Sequence, residues 1–406
     1  MSAVAEPMVD AATGDRLARR NALVLAATQA LAGGNNAVLV ATGGIVGTML
    51  APDKSLATLP LSILVLGTWL GTLPLGVLAR RLGRRSALQI GTACGVLTGL
   101  ICCAAVLQGS FLLFNLGALF SGFYATAHQS YRFAAADTAS EAFRPKAVSL
   151  VLLGGVAGSV VGPQLVIATK DLWPPYLFAA SYLGQSVLAL IAGGVLALVN
   201  IPKPLPRAAV GDGRPIFEIA SEPRFIVAVA CGVAAYAMMN LMMTSAPLAM
   251  VMCNHSVTDA TLGIQWHILG MFAPSLVTGT LIARFGPARM AGIGLALIIG
   301  AATINMTGIS VWHFWIALAL LGIGWNFAFV AASTMVMQCH RPNERNKVQA
   351  FNDFLVFGAM AISSFSSGTL LVNFGWSTVN EVVFPVVLTA AALLLWGVLR
   401  GRARMA

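Results

Sequence analysis

Charge is scarce in this sequence. Asp, Glu, Lys and Arg together make up 9% of the 406 residues, against about a quarter in a soluble globular domain. That scarcity excludes a freely soluble enzyme or binding domain. Acidic residues are the rarer kind, 14 against 24 basic ones, and the formal charge is +10. The six cysteines are scattered through apolar segments with no CxxC or framework spacing, which excludes a disulfide scaffold and a zinc-ribbon site. No polar stretch is long enough to form a soluble domain. Near the start, Glu6, Asp10 and Asp15 precede Arg16, Arg19 and Arg20 with no apolar core ahead of them. No cleavable signal peptide is therefore expected, and the first helix would direct insertion.

What fills the chain is apolar. Hydrophobic residues account for 58% of it and the mean hydropathy is +0.84. Runs of the roughly 20 residues needed to cross a bilayer recur from end to end. Twelve spans are expected, at 22–48, 58–79, 86–107, 111–136, 147–169, 174–199, 225–252, 259–283, 288–308, 312–338, 348–372 and 377–399. The fold class is an all-α membrane protein. Of the 24 basic residues, 21 fall in alternate segments, Lys54 and Lys170 lie on the opposite side, and Arg132 sits inside a span. This is the positive-inside pattern, so both termini are expected in the cytoplasm, and the basic charge implies no nucleic-acid partner.

The chain also repeats itself. Gly76-Val-Leu-Ala-Arg-Arg-Leu-Gly83 aligns with Gly279-Thr-Leu-Ile-Ala-Arg-Phe-Gly286 at an offset of 203 residues, half the chain. Residues 200–224, rich in Pro, Gly and charge, read as a cytoplasmic linker between a six-helix bundle at 1–199 and another at 225–406. Two such halves fit a repeat-built secondary transporter.

Methionine is concentrated in one place. Met238, Met239, Met242, Met243, Met250 and Met252 are six of the 16 in the chain. Residues four apart share a helix face, which pairs Met239 with Met243 on one span and His267 with Met271 on the next. Thioethers and a neutral imidazole suit a soft ion such as Cu(I), and a histidine within a span is a functional candidate. At 1.5 Å per residue, Met239 is about 21 Å in from the cytoplasmic start of its span and His267 about 12 Å in from the outer start of the next, so their depths agree. The competing reading is that Met fills gaps between helices. Cys231 continues the Met239 stripe toward the cytoplasm, and Met335, Cys339 and His340 end another span there. These four are candidates for a secondary metal path.

The repeat and the loop Gly76-x-Leu-Ala-Arg-Arg-Leu-Gly-Arg-Arg85 resemble the major facilitator superfamily over the whole chain. The resemblance implies the MFS fold: twelve transmembrane helices in two pseudo-symmetric halves. It departs from the signature at Arg80, where the family carries Asp, so the loop's acidic partner is sought at Asp137 or Asp353. Gly158-Ser-Val-Val-Gly-Pro163 lacks the trailing glycines of the antiporter motif, which disfavours a drug exporter.

Met239-x-x-x-Met243 with His267-x-x-x-Met271 resembles the paired metal motifs of CcoA-type bacterial copper importers. The resemblance implies copper import across the cytoplasmic membrane for cytochrome oxidase assembly, with the ion as substrate and no resident cofactor. It implies cytoplasmic or oxidase-assembly copper chaperones as partners, and a monomer. The wider subfamily includes RfnT-type riboflavin importers. That alternative has its own residues, in amides and an indole on cavity-lining helices: Asn35, Asn36, Asn240, Trp325 and Asn326. A third reading is a membrane metal sensor or assembly factor. His128, Arg132, Asp137 and Asp353 lie near the cytoplasmic ends of two spans and read as a charge lock between the halves or as a proton-coupling group.

Overall fold

The structure, a computed structural model, describes residues 11–137, 139–140, 143–201, 213–341 and 344–403. Among these residues the regular structure is helical throughout. With no water in the bilayer core, every backbone polar group must be satisfied within its own segment, and helices do this. The first half comprises α1 (Ala11–Leu50), α2 (Leu59–Leu82), α3 (Arg84–Gln108), α4 (Phe111–Gln129), α5 (Tyr131–Asp137), α6 (Arg144–Thr169) and α7 (Ala179–Leu196). A short α8 (Ile216–Ala220) precedes the second half. That half comprises α9 (Pro223–Met252), α10 (Val257–Phe272), α11 (Ser275–Phe285), α12 (Pro287–Thr307), α13 (Val311–Met337), α14 (Arg345–Glu381) and α15 (Val383–Ala403).

Nine helical stretches among the described residues are long and apolar enough to cross a membrane, or ten if the bent pair α10–α11 is one span. The expected span boundaries shift in three places. The span at 111–136 is two helices, because α4 ends at Ser130. The span at 174–199 becomes helical only at Ala179, after the turn carrying Pro174 and Pro175. The span at 259–283 bends by 42° between α10 and α11, where Pro274 removes a backbone donor. The last helical stretch breaks at Gly375, whose φ of 85° departs from helical geometry.

Packing follows small residues. A Cβ on Gly162 of α6 would stand 2.2 Å from the Gly34 carbonyl of α1, and one on Gly294 of α12 would stand 2.3 Å from the Ala328 amide of α13. Without glycine the backbones could not approach so closely, and close approach is how helices associate in lipid. Across the halves, α6 meets α10, α2 meets α14 and α1 meets α9.

The two copies of the sequence repeat take the same turn. Gly83 has φ 88° and ψ 156° between α2 and α3, and Gly286 has φ 82° and ψ 152° between α11 and α12. The side chains of Arg80 and Asp137 lie outside the described residues. Arg85 donates to the Ala197 carbonyl at 2.7 Å, a cation on the negative C-terminal end of α7.

The linker is fastened to the second half by charge. Arg214 donates from Nε and Nη2 to the two oxygens of Glu344, each at 2.9 Å, and from Nη1 to Glu222 at 2.5 Å. The Glu344 side chain is fully buried. Hydrogen bonds from Arg214 and from the Arg341 amide hold its carboxyl well below the usual carboxylate range.

Candidate functional site

The halves meet around Tyr236 of α9. Its ring packs edge-on against Trp325 at 5.3 Å and Phe329 at 4.9 Å, both on α13, and against Phe357 of α14 at 5.7 Å. Trp325 and Phe329 are stacked at 5.3 Å with planes 12° apart, as their i, i+4 spacing allows. Tyr236 packs against the second-half core and against a cluster in which Met360 of α14 joins the first-half core. Tyr236, Phe329 and Phe357 are half-buried. The indole Nε1 of Trp325 is buried with no hydrogen-bond partner. A buried donor left alone costs free energy that a ligand's acceptor would restore. On α1, Gln29 Oε1 and Asn36 Oδ1 are likewise buried without partners. Aromatic faces beside an unpaired indole donor are a surface suited to a flat polar ring.

Charge lies close by. Arg132 of α5 interacts electrostatically with Asp353 of α14 and with Tyr236. The two charged side chains are exposed and, among the described residues, form no direct ion pair. Asp353 accepts from Asn352 Nδ2 at 3.1 Å. His128 meets Gln29 Nε2 at 3.5 Å, which ties α4 to α1 rather than one half to the other. The Asp137 side chain lies outside the described residues. The expected lock is thus a separated pair, Arg132 and Asp353, facing each other across the halves.

At the opposite end, away from the arginine-rich loops, hydrogen bonds cross the halves. Ser367 donates to Thr58 at 3.1 Å, Ser62 to Ser364 at 3.1 Å, and Gln164 to Gln265 at 2.9 Å. A Cβ on Gly368 would come within 2.4 Å of the Thr58 hydroxyl. These contacts fasten the halves at that end, and at the other the side chains of Arg132 and Asp353 are exposed.

The four metal candidates lie on two helices that pack together, α9 and α10. Met239 is 2% exposed and belongs to the same apolar core as Met238 and Met242. Burial does not set it apart, because α9 is enclosed by α13, α14, α15 and α1. Met243 and Met271 are half-buried, and Met243 packs on Val40, Ala41 and Ile264 between α9, α1 and α10. His267 is fully buried, and its Nδ1 donates to the Leu318 carbonyl at 2.9 Å. A carbonyl only accepts, so in the neutral ring Nε2 carries the lone pair, and that atom has no partner. Among the described residues there is no group of three or more His, Cys, Asp or Glu that could hold a metal.

Three residues of the secondary metal path are buried or hydrogen-bonded within the protein. Cys231 is wholly buried in the apolar core. Cys339 donates its thiol to the Met335 carbonyl at 3.3 Å, and burial pushes its pKa up to about 11. His340 Nδ1 donates to the Arg341 carbonyl at 3.1 Å.

Two of the amides proposed for a solute cavity are structural. Asn35 is fully buried and exchanges bonds with Gln185 of α7, donating to its carbonyl at 2.7 Å and accepting at 2.9 Å on its own. Asn326 donates to the Met271 carbonyl at 2.7 Å and to Ser275 at 2.6 Å, and accepts from Thr278 at 2.6 Å. It satisfies the backbone freed at the α10–α11 bend. Asn240 makes only long bonds, 3.3 Å to the Met360 carbonyl and 3.4 Å to Ser363. Asn36 and Trp325 keep unpaired groups. The residues missed in the sequence were Tyr236, Phe329 and Phe357. Their signal was two i, i+4 pairs, Trp325 with Phe329 and Asp353 with Phe357.

Apolar helices of spanning length, with the two sequence halves packed on each other, are the architecture of a secondary transporter, and the similarities that follow make the chain a transporter and not an enzyme. The sequence profile of the Major Facilitator Superfamily matches residues 23–273. The riboflavin transporter RfnT of Brucella anthropi is 49% identical over 372 residues, covering 91% of this chain and 94% of that protein. The MFS-type transporter YdeG of Bacillus subtilis is 28% identical over 409 residues, covering 95% of this chain and 93% of its own length. The structure resembles a partially occluded inward-open conformation of the xylose transporter XylE from E. coli, with TM-score 0.70, 14% identity and coverage of 94% and 98%. It also resembles the nucleoside transporter NupG, with TM-score 0.74, 13% identity and coverage of 93% and 99%. The chain belongs to the major facilitator superfamily and is a multi-pass protein of the bacterial inner membrane.

Proposed function

We propose that the protein imports riboflavin, or a flat aromatic solute of that kind, by alternating access. The observation that carries this reading is the ring cluster of Tyr236, Trp325, Phe329 and Phe357 where the halves meet, with the unpaired Trp325 Nε1 beside it. A tricyclic flavin ring stacks on such faces, its carbonyls accept from an indole N–H, and its hydroxylated side chain donates to amide oxygens such as Asn36 Oδ1. The 49% identity to RfnT supports the same substrate class. In this reading the chain has twelve spans in two pseudo-symmetric halves, 1–199 and 225–406, joined by 200–224, with both termini cytoplasmic. The Thr58–Ser367 and Ser62–Ser364 bonds then close the outer side, and Arg132 and Asp353 face the inner opening. The test is riboflavin uptake by cells that neither make nor otherwise import it. Uptake conferred by the wild type and lost in Trp325→Ala at equal membrane level supports the proposal, and wild-type cells without uptake refute it.

His267 favours a second reading. Its buried, unpartnered Nε2, with Met271 one turn on, offers a soft ion one nitrogen and one sulfur. Copper import for oxidase assembly has no support among the related proteins. Copper accumulation that His267→Ala abolishes, with riboflavin uptake absent, would instead establish it.

A further inference from the structure

A cavity of about 860 Å³ opens at the arginine-rich end of the second half, apart from the ring cluster. That volume lies within the roughly 300–1,000 Å³ of pockets that hold small ligands. Arg224, Arg289 and Arg400 all line it. All three are exposed, and among the described residues none is in an ion pair. Arg400 lies over the Trp396 ring at 5.2 Å. Glu222, the acidic residue on the wall, is already paired with Arg214.

Two long helices start in this cavity. Pro223 opens α9 and Pro287 opens α12, neither start carries a side-chain cap, and both prolines line the wall. Helix starts bear partial positive charge and add to that of the arginines. The rest of the wall is apolar, with Val227, Leu394 and Leu395 among its residues. Leu395 is 61% exposed and Trp396 44% exposed on α15, so the cavity opens toward the bilayer. A soluble anion would not need that apolar side, whereas a molecule with a phosphate at one end and a hydrocarbon chain at the other uses both. Basic pockets between spans on the cytoplasmic side bind phospholipid head groups in this way.

We propose that this cavity is a binding site for an anionic phospholipid of the cytoplasmic leaflet. Arg224, Arg289 and Arg400 hold the phosphate, and an acyl chain lies along Val227, Leu394 and Leu395.

The test uses the full-length protein exchanged through vesicles of phosphatidylcholine and cardiolipin, with retained lipid counted by native mass spectrometry. One cardiolipin per chain, in preference to phosphatidylcholine, is expected on the wild type. R289Q/R400Q should weaken retention roughly thirtyfold, about fivefold for each charge removed. R289K/R400K, which keeps the charge, should retain most of it and guards against a variant that merely misfolds. R16Q/R20Q, on the other half, should bind as the wild type does. Equal loss in R16Q/R20Q would reduce the effect to general surface charge and overturn the proposal. Equal retention of phosphatidylcholine, or displacement of cardiolipin by millimolar inorganic phosphate, would overturn it as well.

Discussion

Tyr236 touches three other rings, so its aromatic face and its hydroxyl make separable contributions. Stacking on an aromatic side chain is worth about 1–3 kcal/mol per flat ring, whose midpoint converts to roughly thirtyfold in affinity. Titrating riboflavin fluorescence against purified protein should therefore show Trp325→Ala weakened at least tenfold and Tyr236→Phe weakened less. Equal, small effects from both would count against the ring cluster as the binding surface. At this scale the sequence was only partly legible. The Trp325–Phe329 spacing could be read as a shared face, and Trp325 was read as a cavity residue. Asn35 and Asn326 looked no different from Asn36, yet they are spent on Gln185 and on the α10–α11 bend. An amide's partner depends on how far each helix is rotated toward its neighbour, and that is set by packing between distant segments. The same holds for Met239, whose position beside Met243 could be read but whose enclosure by α13 and α14 could not.

The α10–α11 bend rests on Asn326, which makes three hydrogen bonds there. Asn326→Ala leaves buried partners unsatisfied at about 1–3 kcal/mol each. A clear loss of thermal stability in detergent is expected, whereas Asn36→Ala, which breaks no bond, should unfold near the wild-type temperature. The linker clasp gives a pH dependence. The Glu344 carboxyl is held below its usual value of 4.5 in the folded state, so the clasp is fully effective above that value. Its contribution is lost as the pH falls below 4.5 toward the depressed folded value. Glu344→Gln should unfold at a lower temperature than wild type at pH 7, and the gap should narrow under acid. A gap independent of pH would show that the clasp does not act through charge. Elements were the most legible level in the sequence, because apolar runs of spanning length leave little choice but helix. The breaks were less so, since Pro274 and Gly375 resemble prolines and glycines that helices elsewhere tolerate.

Across the whole molecule, hydrogen bonds join the two halves at the end away from the arginine-rich loops. Ser62 and Ser364 stand 3.1 Å apart, within reach of a disulfide after modest adjustment. Oxidising a Ser62→Cys/Ser364→Cys double variant should arrest transport, and reduction should restore it. Transport unaffected by the cross-link would mean that this end never opens. Half-chain repetition and charge asymmetry suggested a two-bundle plan, and the glycines of the two repeat copies, Gly83 and Gly286, take matching backbone conformations. The substrate was not legible in the same way, since the thioethers and the rings occupy neighbouring stretches of the same helices. Riboflavin uptake by cells dependent on an external supply tests the central claim most directly. The account expects uptake with the wild type, loss with Trp325→Ala and retention with His267→Ala. Copper accumulation without riboflavin uptake, abolished by His267→Ala, would contradict it.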